Sequence, residues 1–238
     1  MREYILFIDT EASGLPKNWN APFSLAGNWP YAVQVSWLIY TRDGQQLKFE
    51  NHYVHEDDFQ ITPSAFRVHG ITHEFLREQG ESRKKILTLL AKDLQQYQPL
   101  VVGHFMKFDA LVLGADFYRT GLENPIDNLP TFCTMEATTH YVRNPRIKYL
   151  RLGDLYHILF NNSLEQQHNA LVDARATADC FFELVKRYEI DLEKILQQEI
   201  NQPRIPASQE IKISPKKAKY GIVGFILFLL VLLLYYWL

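Results

Sequence analysis

The apolar positions of this chain fall in short blocks whose period changes along its length. Residues 4–8 (YILFI) are an unbroken apolar run and predict a buried strand. Residues 32–40 (AVQVSWLIY) predict a second strand. The Arg-Asp-Gly at 42–44 then predicts a hairpin turn into a third strand, LKFENHYVH from Leu47. Together these read as an antiparallel meander with one polar-alternating face. From residue 81 to 98 the period becomes helical, with Ile86, Leu89, Leu90 and Leu94 on one face and Pro99 as the stop. LVVG at 100–103 predicts a short strand, and residues 108–120 a helix after it. More helices are predicted over 152–160, 170–188 and 191–200. The longest of these turns Ala174, Ala178, Phe181, Phe182 and Val185 to the core. Strands first, then helix and strand in alternation, define an α/β domain with a mixed sheet, covering residues 1–200.

The pattern changes after residue 200. Residues 201–219 carry Pro203, Pro206 and Pro215 among polar and basic side chains and read as a linker. Residues 220–238 (YGIVGFILFLLVLLLYYWL) hold no charged side chain and show no amphipathic period, which disfavours a buried core helix. As a helix this segment would span about 28 Å, close to the roughly 30 Å hydrocarbon core of a bilayer. Lys216, Lys217 and Lys219 precede it, and Tyr235, Tyr236 and Trp237 close it. The expectation is a single-pass C-terminal transmembrane helix in the lipid bilayer, with the preceding domain on the cytoplasmic side.

Composition adds little to this outline. The chain has 238 residues, 47% hydrophobic and 22% charged, enough for a packed core. A net charge of −2 gives no global basic field, so nucleic-acid contacts must come from local clusters. Cys133 and Cys180 lack metal-type spacing and read as free thiols in a reducing compartment. The N-terminal apolar run is short and ends in Asp9, unlike a signal peptide.

The candidate chemistry lies in four carboxylates and one histidine. Asp9 and Glu11 close the first strand, and residues i and i+2 of a strand share a face. Asp109 ends GHFMKFD. Asp173 ends HNALVDA, with His168 five residues before it. Singly, each has an ordinary explanation: surface acidic pairs are common, and an acid at a helix start is favoured by the macrodipole. As a set they form an oxygen-rich site suited to Mg²⁺ or Mn²⁺, beside an imidazole that could serve as a general base. The reaction expected of such a site is phosphodiester hydrolysis.

Four stretches carry a family resemblance in order: FIDTEASGL, ITPSAFRVHGITHEFL, LVVGHFMKFD and HNALVDARATA. With them, residues 4–188 resemble the DnaQ-like exonucleases with a DEDDh site, which adopt a ribonuclease H-like fold. The resemblance implies that Asp9, Glu11, Asp109 and Asp173 hold two divalent metal ions. It implies that His168 deprotonates the attacking water, with Glu11 counted beside it among the catalytic groups. Main chain around Thr10 and Ala12 would grip the terminal nucleotide, and Leu15 would wedge beside its base. The product would be a nucleoside 5′-monophosphate from a 3′ end. One departure stands out. Family members carry Asn four residues before the second-motif Asp, and this chain has Phe105 there.

Two further features adjoin the motifs. LPKNWNAPFSLAGNWPYA after Gly14 brings Trp19, Phe23, Trp29 and Tyr31, which either stack on unpaired bases or pack as a lid on the domain itself. Arg143, Arg146, Lys148 and Arg151, with Tyr141 and Tyr149 between them, either hold backbone phosphates or form a solvated loop. The expected function is a membrane-anchored, metal-dependent 3′→5′ exonuclease acting on single-stranded nucleic acid, DNA ahead of RNA. The alternatives are an oligoribonuclease-like activity and a catalytically weak, tethered nucleic-acid-binding module.

Overall fold

The computed structural model describes residues 2–55 and 57–201. The predicted linker and transmembrane segment lie outside the described residues, apart from Asn201. Among the described residues, no helix is long and apolar enough to cross a membrane.

The chain begins with three antiparallel strands, β1 (Tyr4–Ala12), β2 (Ala32–Thr41) and β3 (Gln46–Tyr53). The turn between β2 and β3 is the predicted one, with Gly44 at φ 93° and its N–H donating to the Thr41 carbonyl at 3.0 Å. β1 continues past its apolar run through Asp9 and Glu11 before a register shift at Ala12. Two short helices follow, α1 (Pro63–His69) and α2 (His73–Gln79), each capped by a threonine, Thr62 and Thr72. Then come α3 (Arg83–Tyr97), β4 (Leu100–Gly103) and α4 (Met106–Thr120). β5 (Thr131–Cys133) leads into a one-turn helix, α5 (Thr134–Ala137). The domain ends with α6 (Leu152–Phe160), α7 (Ala170–Lys186) and α8 (Leu192–Asn201).

The sheet order is β3-β2-β1-β4-β5, with β4 and β5 parallel to β1. β1 is therefore central, and its alternating side chains serve two cores. Leu6 and Ile8 pack with α3 and α4 through Ile86, Leu90, Leu94 and Leu113. Ile5 and Phe7 pack with α6 and α7 through Leu155, Phe181 and Leu184. β2 is buried on both faces, unlike the half-polar strand its place in a meander suggests, because helices cover both sides of the sheet. The polar alternation falls instead on the edge strand β3. This is the mixed, helix-flanked sheet of a ribonuclease H-like fold.

Candidate active site

The face of β1 that turns Ile5 and Phe7 to α7 also carries Asp9 and Glu11. Beyond Phe7, polar side chains replace apolar ones, and the sheet's apolar core gives way to a pocket of acids. α7 supplies Asp173 from its first turn. The α7 start is pinned to the sheet by Gln34, which stands opposite Glu11 in β2. Gln34 Oε1 accepts from the Ala170 N–H at 3.1 Å, and its Nε2 donates to Asn169 Oδ1 at 3.3 Å and to Asn51 Oδ1 at 2.8 Å. Asn169 itself caps α7, accepting from the Leu171 N–H at 3.1 Å.

Asp109 arrives from the other layer. It sits in the first turn of α4 and is almost completely buried. Its Oδ1 accepts from the Thr10 N–H at 2.9 Å and from Thr10 Oγ1 at 2.8 Å. Gly103 gives it room: a Cβ there would lie 3.2 Å from the Met106 main chain and 3.4 Å from Asp109 Oδ2. The Thr10 N–H, expected to serve the substrate, is thus committed to Asp109. The Ala12 main chain lies beside the imidazole of His69, and Leu15 is 72% exposed at the start of the following loop.

His168 precedes α7 with φ 66°, a left-handed conformation. Its main-chain N–H donates to Asp173 Oδ2 at 2.9 Å. Its ring is exposed, and Glu11, His168 and Asp173 each offer a ligand atom within 4.8 Å of the others. The remaining oxygen of Asp173, Oδ1, is buried without a hydrogen-bond partner.

The electrostatics are those of crowded, desolvated acids. Burial raises the Asp9 carboxyl well above its usual range, and Asp109, Asp173 and Glu11 add to the shift. Glu11 is raised to about 8 by burial, then by Asp173 and Asp109. Burial also raises Asp109 against the lowering effect of the Thr10 hydrogen bonds. Asp173 is raised by burial, offset by the His168 N–H and the nearby imidazole. Such a cluster is short of positive charge. The orphaned Asp173 oxygen and an all-carboxylate donor set with one imidazole fit divalent cations such as Mg²⁺ or Mn²⁺.

His69, at the end of α1, is a polar neighbour that the motifs did not single out. Its Nδ1 accepts from the Ile71 N–H at 2.9 Å, and its Nε2 is buried without a hydrogen-bond partner. Burial and the nearby His168 lower its pKa. The signal was present in VHGITHEFL, but a histidine after a short helix reads as surface when its fold is unknown.

The remaining sequence candidates divide. Phe23 and Trp29 pack on α4 with Leu111 and Ala115, so much of the aromatic insertion is a lid on the domain's own core. The Arg119 guanidinium carbon lies over the Tyr31 ring, 3.6 Å from the ring centroid, and Tyr31 stacks on Phe59 at 5.2 Å. Arg143, Arg146, Lys148 and Arg151 stay exposed, and none forms an ion pair among the described residues. Gly153, just beyond them, packs on the Gln167 side chain next to His168.

A five-stranded mixed sheet with acids converging on the end of its central strand defines a ribonuclease H-like nuclease class. The RNase_T family, described as Exonuclease, matches residues 6–181, and the chain belongs to it. Its class is that of phosphodiester-cleaving hydrolases. No curated protein matches the chain. Among solved structures, an exonuclease I shares 17% identity at a TM-score of 0.64, over 83% of this chain and 43% of that one. E. coli exonuclease I in complex with a dT13 oligonucleotide shares 19% identity at a TM-score of 0.63, over 78% and 41%. The zinc-ion-bound form of an E. coli ExoI–ssDNA complex shares 17% identity at 0.62, over 83% and 43%. This chain therefore spans less than half the length of these matched structures, and the likeness concerns the fold.

Proposed function

We propose that the protein is a divalent-metal-dependent 3′→5′ exonuclease that removes nucleoside 5′-monophosphates from single-stranded ends, with DNA preferred over RNA. The convergence of Asp9, Glu11, Asp109 and Asp173 beside His168 carries this reading. Membership of the exonuclease family and the single-stranded DNA in the matched E. coli complexes support it. Asp9, Glu11, Asp109 and Asp173 would hold two divalent ions. When bound, such ions neutralise charge on the scissile phosphate and activate it as Lewis acids.

The chain's own residues supply the rest. His168, solvent-exposed and beside Glu11 and Asp173, accepts the proton of the attacking water on its ring. Its main-chain N–H, rather than its ring, orients Asp173, so the imidazole is free for proton transfer. Thr10 fixes Asp109 from both its hydroxyl and its amide. The Ala12 main chain and Leu15 receive the terminal nucleotide. The exposed Arg143, Arg146, Lys148 and Arg151 neutralise backbone phosphates on the approach to the His168 loop.

A membrane anchor belongs to the same reading. Residues 220–238 carry no charge and follow Lys216, Lys217 and Lys219, which favours a single-pass helix in the bilayer with the nuclease domain in the cytoplasm. The test of the enzymatic reading is mononucleotide release from single-stranded DNA and RNA by the full chain with Mg²⁺, Mn²⁺ or EDTA. Release lost in EDTA and in Asp9→Ala supports it, and the faster substrate settles the sugar preference. Binding without release on any substrate points instead to a tethered binding module.

A further inference from the structure

Asp116 is a buried carboxylate that the acid cluster does not use. It lies on α4, about two turns beyond Asp109, and is fully buried. A lone charge in such a place is costly, and three partners offset the cost. Arg119 Nη1 donates to Asp116 Oδ1 at 2.5 Å, and Arg83 Nε, from α3, lies 3.4 Å from the same oxygen. Oδ2 accepts from the Ala32 N–H at 3.0 Å.

The Ala32 contact falls at a break in the sheet. Glu11 pairs with Gln34 but Ala12 pairs with Ala32, so β2 carries one extra residue, Val33, at the step. A step of this kind bends a strand and re-aims the residues beyond it. Val33 turns into a separate cluster with Phe59, Ile71 and Leu76. Asp116 therefore holds β2 at the point where β1 leaves its catalytic carboxylates behind.

The two guanidiniums extend this hold. Arg119 donates to the Trp29 and Pro30 carbonyls at 2.6 and 2.9 Å and covers the Tyr31 ring. Arg83 lies 4.9 Å from the centroid of the same ring and pairs through both terminal nitrogens with Asp58. Tyr31 in turn grips the first motif. Its carbonyl accepts from the Ser13 N–H at 2.8 Å, and its N–H donates to Ser13 Oγ at 3.0 Å. The Ser13 carbonyl accepts from the N–H of Thr62, the cap of α1, at 2.8 Å. Ser13 is thus fixed through its N–H, its hydroxyl and its carbonyl, two residues beyond Glu11 and two before Leu15.

We propose that Asp116 is a positioning residue for the turn that receives the terminal nucleotide: through Arg119, Tyr31 and Ser13 it sets residues 12–15 relative to Glu11. The proposal rests on the exonuclease reading above and adds a residue outside the four motifs. It also gives the end of the aromatic insertion a task, as the arm by which α4 reaches the turn. Asp116→Asn leaves Arg119 without its carboxylate and so loosens the grip on the Trp29 and Pro30 carbonyls.

The test compares Asp116→Asn, Ser13→Ala and their double variant with Leu94→Ala, a buried change in α3 outside this chain of contacts. Hydrogen–deuterium exchange of the full chain without metal reads the turn directly. Release from a single-stranded oligothymidylate with Mg²⁺ gives kcat and KM. Exchange over residues 12–16 should rise in Asp116→Asn and Ser13→Ala and stay at the parent's level in Leu94→Ala. KM should rise about tenfold in each single variant with kcat little changed. The double variant should stay near that value rather than reach the roughly hundredfold of independent effects. Arg119→Lys keeps the charge, loses a carbonyl contact, and should fall between the parent and Asp116→Asn; if Asp116→Asn does not fold, Arg119→Lys takes its place in the cycle with Ser13→Ala. Unchanged exchange at the turn, KM effects that multiply, or an equal rise of KM in Leu94→Ala overturns the proposal. A parent that releases no nucleotide loses the exonuclease reading, and the exchange result alone then decides whether Asp116 positions the turn.

Discussion

Thr10 and Asp109 are joined by two hydrogen bonds to one carboxylate oxygen, 2.9 Å from the Thr10 N–H and 2.8 Å from its hydroxyl. They come from adjacent layers: Thr10 from the central strand, Asp109 from the first turn of α4. The pair fixes where α4 meets the end of β1, and so holds the second-motif acid against the first-motif acids. It also leaves Asp109 Oδ2 as the oxygen facing Gly103, where no Cβ intrudes.

Thr10→Val keeps the shape and the main-chain bond but removes the hydroxyl donor. A buried carboxylate deprived of one hydrogen bond costs about 1–3 kcal/mol. The expected outcome is a lower melting temperature in EDTA and weaker Mg²⁺ protection in thermal denaturation. Nucleotide release should fall without a change in which end is cut.

The acid cluster also predicts how stability follows pH. Glu11 is raised to about 8 in the folded protein, and Asp9, Asp109 and Asp173 are raised as well. Raised carboxyls bind protons more tightly folded than unfolded. In the window between the ordinary carboxylate range and about pH 8, stability therefore falls as pH rises. Without metal, the melting temperature should drop across that window. Mg²⁺ or Mn²⁺ should restore it, by more at the alkaline end. Glu11→Gln should raise the melting temperature of the EDTA-treated protein at pH near 8 while abolishing release. A melting curve independent of pH and metal contradicts the cluster's charge balance.

His168 holds Asp173 through its main chain. Replacing its ring should therefore leave the acids in place. His168→Asn suits the left-handed backbone at this position better than His168→Ala. Both should lower kcat roughly 10²- to 10⁴-fold, the usual loss of a general base, with the Asn variant melting higher. Metal-induced stabilisation should persist in both. Its disappearance would make His168 a ligand instead.

Gln34 has no motif to announce it, yet it ties three elements together. Gln34→Ala orphans the buried Ala170 N–H and frees Asn169 from β2. The expected loss is about 1–3 kcal/mol in urea unfolding, with a reduced kcat from a loosened His168–Asp173 segment. An unchanged kcat in a destabilised variant would limit Gln34 to stability.

Legibility in the sequence followed the kind of signal. Asp9, Glu11, Asp109, Asp173 and His168 stood out because family motifs with fixed spacing surround them, and the structure brings them to one end of β1. The helices over 83–97, 152–160 and 170–186 showed their period because each buries one face. α1 and α2 were missed, each being too short for a period; only Thr62-Pro63 and Thr72 marked their starts. β5 has three residues and no turn signal before it. The burial of β2 on both faces depends on α7 and α3, whose docking no local window records. The insertion's aromatics pack on the domain through contacts with Gly114 and Phe105, which are distant in sequence and invisible to composition.

The most direct test follows one strand from both ends. The full chain is incubated with Mg²⁺ and a single-stranded DNA labelled at its 3′ or its 5′ end, beside Asp173→Asn and an EDTA control. A 3′→5′ exonuclease releases the 3′ label at once as a 5′-mononucleotide and shortens the 5′-labelled strand one nucleotide at a time, with both products absent in the controls. Early release of the 5′ label, internal cuts, or release that survives Asp173→Asn would contradict the assignment.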